Sequence, residues 1–358
     1  MALVPLSDHI FFLAQLQNMA YLAAYFGTLL WRSKAGIVTR EMLAIDKRPF
    51  LIIGAAEAVA QLLFMVGAAH IPGPLLPVVN QTYLVWSLLF AHLILGTRYS
   101  RVQLLGAGLV VAGVIAAAVS PAAVVAHSAA AAVELRYVAV CVACFAFPAI
   151  ANCVKERVFS SAARDLGQPL DIFVVNSFGS LAQSLFVVAL LPVTLALKGI
   201  SPAALPATLA HSAQAFLGRL PGADPLTPWL AAGYVVMNLV FNVAILTLLR
   251  SVGSVTTTLV GSSLVPLTIC AFTLPLPYLE PAVLGPNFLL GATLLMAGLC
   301  TYNLNSWRAL LGLQRPGAAA QAAAGAGAGG AQPALQPAVA TMSMGGSGPG
   351  VAANSKED

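Results

Sequence analysis

Amide side chains recur inside apolar stretches that are long enough to cross a membrane. Asn80 and Gln81 lie next to Thr82 within residues 75–95, a run that carries no formal charge. Side-chain amides in lipid are costly unless they find hydrogen-bond partners or face a wet cavity. One isolated amide is explained by hydrogen bonding between helices, but two adjacent amides point to more than one helix face. The pattern therefore favours a polar cavity inside a helical bundle.

Polar residues at helical spacing occur in other apolar runs as well. Glu57 and Gln61 are four residues apart, as are Asn238 and Asn242, so each pair shares one face of a helix. Amides both donate and accept hydrogen bonds, which suits peptide bonds, carboxylates and ammonium groups. We predict that ten polar side chains line the cavity: Gln15, Asn18, Glu57, Gln61, Asn80, Gln81, Asn176, Ser180, Asn238 and Asn242.

Glu57 is the only acidic residue that we place deep inside a span. An ionised carboxylate at the bilayer centre costs at least about 2.5 kcal/mol on insertion scales, so it needs a partner or a cavity. Three interpretations remain open. Glu57 is hydrogen-bonded to Gln61 or to an amide of the third span, or it pairs with a basic residue of a helix absent from this sequence, or it takes up and releases a proton.

No arrangement typical of an enzyme or a metal site is present in the sequence. It contains no H-E-x-x-H, no G-x-S-x-G, no P-loop and no paired acidic cluster, and its five histidines are scattered. The C-x-x-C at Cys141 and Cys144 lacks a second ligand pair, so neither zinc nor a redox motif is supported. All five cysteines are interpreted as small packing residues. We expect no catalysis, metal or cofactor.

Composition assigns the chain to the polytopic α-helical membrane proteins. Of 358 residues, 59% are hydrophobic and only 8% charged, with a mean hydropathy of +0.88. The net charge of +5 comes from a few loop residues, so we expect a lipid bilayer around the protein and no nucleic acid. Nine spans are predicted, at 10–31, 50–69, 75–95, 102–119, 137–154, 172–197, 228–249, 253–276 and 282–303. A short helix at 203–217 is predicted to lie on the membrane surface.

An internal repeat indicates the architecture. Residues 104–116 read LLGAGLVVAGVIA and residues 289–301 read LLGATLLMAGLCT, with seven of 13 positions identical. The two segments are five spans apart, so they face opposite ways, which is the inverted-repeat plan of many transporters. A five-helix unit ending at the ninth span leaves four helices for the first unit, so we expect that one helix is missing before Met1.

The repeat divides the chain into a first half at 1–121, a linker at 122–133, a second half at 134–304 and a disordered Ala/Gly/Pro-rich tail at 305–358. Within the fourth span, Gly108 and Ala112 form a small-xxx-small surface that would let two helices approach closely. If the loops alternate sides, 14 of the 17 basic residues lie on one side, and only Arg136, Lys198 and Arg219 on the other. The first loop and the tail are therefore predicted to be cytosolic.

Several sequence blocks carry a resemblance to a known family. They include PFLIIGAAEA, PGPLLPVVNQTYLVWSLLF and LDIFVVNSFGS, in order and correctly spaced between residues 2 and 304. These blocks resemble the chloroquine-resistance-transporter-like (CRT-like) family of plants and algae, which belongs to the drug/metabolite transporter superfamily. The resemblance implies ten helices in two inverted five-helix halves, of which this chain lacks the first, and transport of thiol peptides across the plastid envelope.

Pattern and resemblance together predict a secondary transporter that moves glutathione, γ-glutamylcysteine or related small zwitterions by alternating access, with Glu57 as a possible proton-coupling residue. Two alternatives remain open. One is another substrate of the superfamily, a sugar phosphate or nucleotide sugar, and the other is a truncated membrane protein that does not transport. The expected location is the plastid envelope, with a vacuolar-type membrane as the alternative, and the oligomeric state is left open.

Overall fold

The computed structural model describes residues 9–68, 70–71, 75–119, 124–125, 135–197, 199–219, 226–262, 264, 268, 271, 273–274 and 283–304. Four predicted features lie wholly or mostly outside these residues. They are the start of the chain at 1–8, the linker at 122–133, the second half of the predicted eighth span and the tail at 305–358.

The described chain is almost entirely helical. Its helices are α1 (Ile10–Lys34), α2 (Arg40–Ala44), α3 (Arg48–Ala68), α4 (Leu75–Val79), α5 (Thr82–Leu95), α6 (Arg101–Val119), α7 (Leu135–Cys144), α8 (Ala146–Leu166), α9 (Ile172–Ala189), α10 (Leu191–Leu197), α11 (Leu205–Phe216), α12 (Thr227–Val252), α13 (Ser254–Ser262) and α14 (Pro286–Tyr302). Two-residue strands, β1 (Val124–Val125) and β2 (Val283–Leu284), pair antiparallel and tie the loop after α6 to the segment before α14.

Five segments of the described chain are long and apolar enough to cross a membrane. They are Arg48–Ala68, Leu75–Leu95, Leu135–Leu166, Ile172–Ala189 and Thr227–Val252, and the bent pair Leu191–Leu197 and Pro202–Phe216 would make a sixth. The helices α6 and α14 are apolar but shorter. The chain is therefore a polytopic helical membrane protein, whereas the count of nine spans stays a prediction.

Two predicted spans contain a break. The third divides into α4 and α5, and Asn80 and Gln81 form the turn between them. The fifth divides at Phe145, three residues before Pro148, which has no N–H to continue the helical hydrogen bonds. After this break α8 runs on to Leu166, well beyond the predicted end at residue 154, and carries Lys155 as part of the helix rather than of a loop.

The repeat segments themselves form a close helix pair, the α6–α14 seam. The helices run antiparallel, with Gly106 beside Gly298 and Gly113 beside Gly291. A Cβ on Gly113 would lie 2.6 Å from the carbonyl oxygen of Gly291, so only glycine permits this approach. The seam is therefore not formed by the predicted surface, because Gly108 is exposed with nothing within 4 Å of a Cβ built there.

The other main apolar cluster gathers the ends of helices that the charge pattern assigns to the cytosolic side. It draws on α1, the loop after it and α2, and on α3, α8, α9 and α12, through Leu29, Val38, Met42, Phe50, Val158, Phe159, Leu170, Leu246 and Leu249. At this end Arg32 of α1 pairs with Asp171, whose carboxylate also caps the N-terminus of α9. Arg250 of α12 donates to the carbonyl oxygen of Leu170. The ends of α1, α9 and α12 are thus joined at one end of the bundle.

The loop between α2 and α3 packs Lys47 into the same end of the bundle. Its ammonium donates to the carbonyl oxygens of Leu43 and Ile45 and lies 4.2 Å from the ring centre of Phe178. Burial lowers the pKa of Lys47 below its ordinary value. The carbonyls and the ring replace part of the lost hydration of the ammonium, so they offset part of the cost of burying it.

Candidate functional site

A cavity of about 430 Å³ lies among five helical elements, α1, α3, the α7–α8 segment, α9 and α12. The residues that line it include one acid, one base, amides and hydroxyls, interspersed with apolar side chains. Its polar lining consists of Gln17, Asn18, Tyr21, Tyr25, Glu57, Gln61, Lys155, Asn176, Ser180, Gln183, Tyr234 and Asn242. A polar cavity is thus present, as the amide pattern predicts.

The cavity contains an ion pair between neighbouring helices. Lys155 of α8 donates to a carboxylate oxygen of Glu57 on α3, and both side chains are largely buried. Glu57 is thus in an ion pair, as in the second of the three interpretations, but with a different partner. Its partner is a residue of this sequence rather than of a preceding helix.

The hydroxyl group of Tyr21 connects α1 to α12. It accepts one hydrogen bond from Nε2 of Gln17 at 2.7 Å and another from Nδ2 of Asn242 at 3.1 Å. Two accepted bonds use both lone pairs of a hydroxyl, so its own proton is directed elsewhere. Tyr21 also lies within electrostatic range of Glu57.

A second hydrogen-bond junction joins α1, α3 and α9. The side-chain oxygen Oε1 of Gln61 accepts from Nδ2 of Asn18 at 3.2 Å and from Nε2 of Gln183 at 3.4 Å. Three amides from three helices therefore meet at one acceptor. Because amides can exchange partners without changing charge, this junction can rearrange when the helices move or when a ligand enters.

Some buried polar atoms at the cavity have no partner among the described residues. They are the hydroxyl of Tyr25 and Nδ2 of Asn176, on residues that are 2% and 6% exposed. Both residues line the cavity, on α1 and α9. An unpaired buried donor costs about 1–3 kcal/mol, so these atoms are suited to bind water or a polar ligand.

Six of the ten predicted residues line the cavity: Asn18, Glu57, Gln61, Asn176, Ser180 and Asn242. The other four lie outside it. Gln15 is off the cavity face of α1, and Asn80 is exposed at the break between α4 and α5. Asn238 donates to the carbonyl oxygen of Tyr234, one turn earlier in α12.

Gln81 and Thr82 stabilise the helix break instead of lining the cavity. Nε2 of Gln81 donates to the carbonyl oxygen of Pro77 at 3.2 Å, and Oγ1 of Thr82 donates to that of Val79 at 2.8 Å. A broken helix frees backbone carbonyls, which are costly in lipid unless side chains bind them. Polar residues at a break are therefore needed for local structure, which the composition of the run alone does not reveal.

Several lining residues are absent from the sequence prediction. The fifth span is predicted to end at residue 154, just before Lys155, although Lys155 lies seven residues after Pro148 and thus on the same helical face. Gln183 belongs to a polar stripe on the sixth span, in which it follows Ser180 by three residues. Helical spacing continued through residues 155–166 would have included Lys155.

A metal ion has no evident place in the described part of the chain, since no group of three His, Cys, Asp or Glu side chains converges there. A second groove of about 380 Å³ between α1 and α12 shares Tyr25 with the cavity, but its lining is mainly apolar. The polar cavity is therefore the better candidate for a ligand site.

Comparison with known proteins identifies the family. A family model described as "CRT-like, chloroquine-resistance transporter-like" matches residues 1–219. "Protein CLT2, chloroplastic" of Arabidopsis thaliana is 43% identical over 311 residues, which cover 85% of this chain and 71% of that protein. "Protein CLT1, chloroplastic" of the same plant is 38% identical, covering 84% and 68%. The "Chloroquine resistance transporter" of Toxoplasma gondii is 28% identical over 29% of this chain and 12% of its own. The chain belongs to the CRT-like family.

Proposed function

We propose that this protein is a secondary transporter of the plastid membrane that moves small thiol peptides, such as glutathione and γ-glutamylcysteine, or related zwitterions. The observation that carries the proposal is a polar cavity between five helical elements in a chain of the CRT-like family. The names of the Arabidopsis relatives support the plastid location. The apolar spans support insertion into its membrane.

The charges of the cavity favour a zwitterion over a phosphorylated substrate. The one base in its described lining is Lys155, and Glu57 already pairs with it. A sugar phosphate or nucleotide sugar carries one or more phosphate charges, which proteins usually bind with several cations or a cluster of backbone N–H groups. Amides and hydroxyls suit peptide bonds and carboxylates better. The superfamily alternative is therefore less well supported.

We further propose alternating access between two inverted halves, 1–121 and 134–304. The α6–α14 seam supports this plan. In the repeat alignment Gly106 corresponds to Gly291 and Gly113 to Gly298, so exchanging the halves converts the Gly106–Gly298 contact into the Gly113–Gly291 contact. Such a symmetric, close contact can act as an axis about which the halves rock, while the cavity opens to each side in turn.

The proton-coupling role of Glu57 stays a prediction within this mechanism. Glu57 and Lys155 are paired in this structure, so proton coupling at Glu57 would involve separation of the two side chains. Glu57→Gln keeps size and hydrogen bonding, and it is expected to remove the dependence of transport on a pH gradient. An unchanged dependence in that variant would exclude Glu57 as the coupling residue.

The transport proposal is tested by uptake of radiolabelled γ-glutamylcysteine and glutathione into proteoliposomes. We expect saturable uptake that unlabelled γ-glutamylcysteine inhibits. Liposomes without protein provide the background. Absence of uptake of both peptides, together with uptake of a sugar phosphate or a nucleotide sugar, would replace the proposal with the superfamily alternative.

A further inference from the structure

Glu57 and Lys155 neutralise each other's charge inside the cavity. Both residues line the cavity, and among the described lining residues the pair leaves no net formal charge. Breaking a buried pair by removing one partner is costly, because an uncompensated charge remains. A ligand that binds one of these two residues must therefore supply a group of opposite charge for the other.

We propose that this pair is the recognition element for an α-amino-acid head group, with Lys155 as a specificity-determining residue. The carboxylate of the ligand takes the place of Glu57 beside Lys155, and its ammonium takes the place of Lys155 beside Glu57. One internal ion pair becomes two ion pairs with the ligand. The inference rests on the proposed transport function and adds to it the part of the substrate that is recognised.

Exchange of partners explains why both ligand charges are required. A monoanion that binds Lys155 leaves Glu57 buried beside no cation, and a monocation that binds Glu57 leaves Lys155 unpaired. A zwitterion compensates both residues at once. The free α-amino and α-carboxyl groups of a γ-glutamyl residue provide this arrangement on a single carbon atom.

Donors around the pair fit the same ligand. The hydroxyl of Tyr21 accepts from Gln17 and Asn242, and its own proton is bound by none of the described residues. Nδ2 of Asn176 is buried and unpartnered, and so is the hydroxyl of Tyr25. These groups can bind carboxylate or peptide oxygens that replace the internal pair. They are independent of the pair and also indicate a polar ligand.

The test measures which analogues compete with radiolabelled glutathione for uptake by the full chain in proteoliposomes. N-acetylglutathione lacks the ammonium, and glutathione amidated at the γ-glutamyl α-carboxyl lacks that carboxylate. We expect each to compete at least about tenfold more weakly than glutathione, as for loss of a charge-assisted hydrogen bond. An analogue with methyl in place of the thiol keeps both charges and should compete within about twofold.

Two variants assign each ligand charge to its residue. In Glu57→Gln, N-acetylglutathione should compete about as well as glutathione. In Lys155→Met, the amidated analogue should do so instead. Each result is a ratio within one preparation, so partial loss of folded protein does not affect it. If a single variant fails to fold, the double variant removes both charges and should discriminate against neither analogue. Arg157→Met is the matched control on α8, because Arg157 is exposed and outside the cavity lining.

The outcomes separate the inference from the transport proposal. Uptake of glutathione with equal competition by all three analogues would overturn the partner exchange and leave transport standing. Unchanged ratios in both charge variants would do the same. No glutathione uptake, with glutathione still binding to detergent-purified protein more tightly than its two charge-deleted analogues, would overturn transport and leave the recognition element standing.

Discussion

The α6–α14 seam and the cavity are built from opposite kinds of contact. At the seam, glycines bring two helix backbones together, and the surrounding cluster consists of apolar side chains such as Val110, Leu295 and Phe288. Around the cavity, amides of α1, α3 and α9 meet at Gln61, and the Glu57–Lys155 pair joins α3 to α8. The seam has close packing and the cavity has exchangeable polar partners.

The difference follows from the bilayer as a solvent. Lipid tails are as apolar as leucine, so helices gain little from burying apolar side chains and associate through close packing instead. A seam of this kind has one good geometry and tolerates little change. Amides and charges can satisfy one another in more than one arrangement, so the cavity can change shape without losing its bonds. Substitutions should therefore affect stability at the seam and transport at the cavity.

The largest effect on stability is expected from Gly113→Leu. A Cβ there would lie 2.6 Å from Gly291 O and Leu295 N, which are backbone atoms that cannot rotate away. Overpacking costs about 1–3 kcal/mol and more where the backbone must move, so we expect little folded protein. The measurement is the yield and thermal unfolding of the detergent-purified protein. Gly108→Leu is the control, since Gly108 has nothing within 4 Å, and equal behaviour of the two variants would refute the seam.

A smaller loss of stability is expected from Asp171→Ala. Asp171 is 5% exposed, accepts from Arg32 at 2.6 Å and caps α9 through the N–H of Phe173 at 2.9 Å. Alanine removes the cap and the ion pair, for a cost of about 2 kcal/mol.

Asp171→Asn separates these two contributions, because an amide oxygen still caps the helix. We expect about half the loss of Asp171→Ala, measured as the shift in unfolding midpoint relative to the native protein. An asparagine variant as unstable as the alanine variant would mean that the cap contributes nothing. We therefore expect the Arg32–Asp171 pair to stabilise the fold, whereas the Glu57–Lys155 pair should affect transport.

Gln61→Ala should change stability by less than about 1 kcal/mol and reduce glutathione uptake at least tenfold. The side chain faces a cavity, so its removal leaves room for water beside Asn18 and Gln183. Uptake and thermal unfolding are measured on the same preparation. Gln214→Ala is the control on α11, where Gln214 is exposed. A large loss of stability with normal uptake would reverse the assignment of the two regions.

The seam and the cavity also differ in what the sequence can predict. Helical spacing of polar residues predicts Asn18, Gln61 and Asn176 at a cavity, because polarity inside an apolar run has few explanations, and all three line the cavity of the structure. Small residues are less informative, since every turn of α6 from Gly106 onward carries one. The sequence predicts close packing at Gly108, whereas Gly106 and Gly113 form the contact with Gly298 and Gly291 of α14.

Breaks in helices account for most of the other differences. The prediction that Asn80 and Gln81 line the cavity depends on an unbroken helix, and the break makes them local partners of the backbone. Lys155 lies just beyond the predicted end of the fifth span at residue 154, because charge usually ends a span. Its position in the cavity depends on the continuation of α8 beyond Phe145, where α8 packs against α3 and α5, and local composition does not show this packing.

The smallest effect concerns Tyr99 in the loop between α5 and α6. Its ring packs against the apolar cluster of the seam, and its hydroxyl accepts from Thr97 at 2.9 Å. Burial raises the pKa of Tyr99 to about 12, from an ordinary value near 10. Between pH 10 and 12 the unfolded chain therefore loses this proton while the folded chain keeps it, so the free energy of unfolding falls as pH rises.

Tyr99→Phe removes the titrating group and should make the decline of the unfolding midpoint between pH 10 and 12 less steep. The difference from the native protein is compared with that of Thr97→Ala, which loses the hydrogen bond but keeps the phenol and should decline as steeply as the native protein. If Tyr99→Phe and the native protein decline in parallel, water reaches this edge of the seam and the phenol ionises there as it does in the unfolded chain. The apolar packing of the seam would then stop short of the α5–α6 loop, and Tyr99 would belong to the solvated surface.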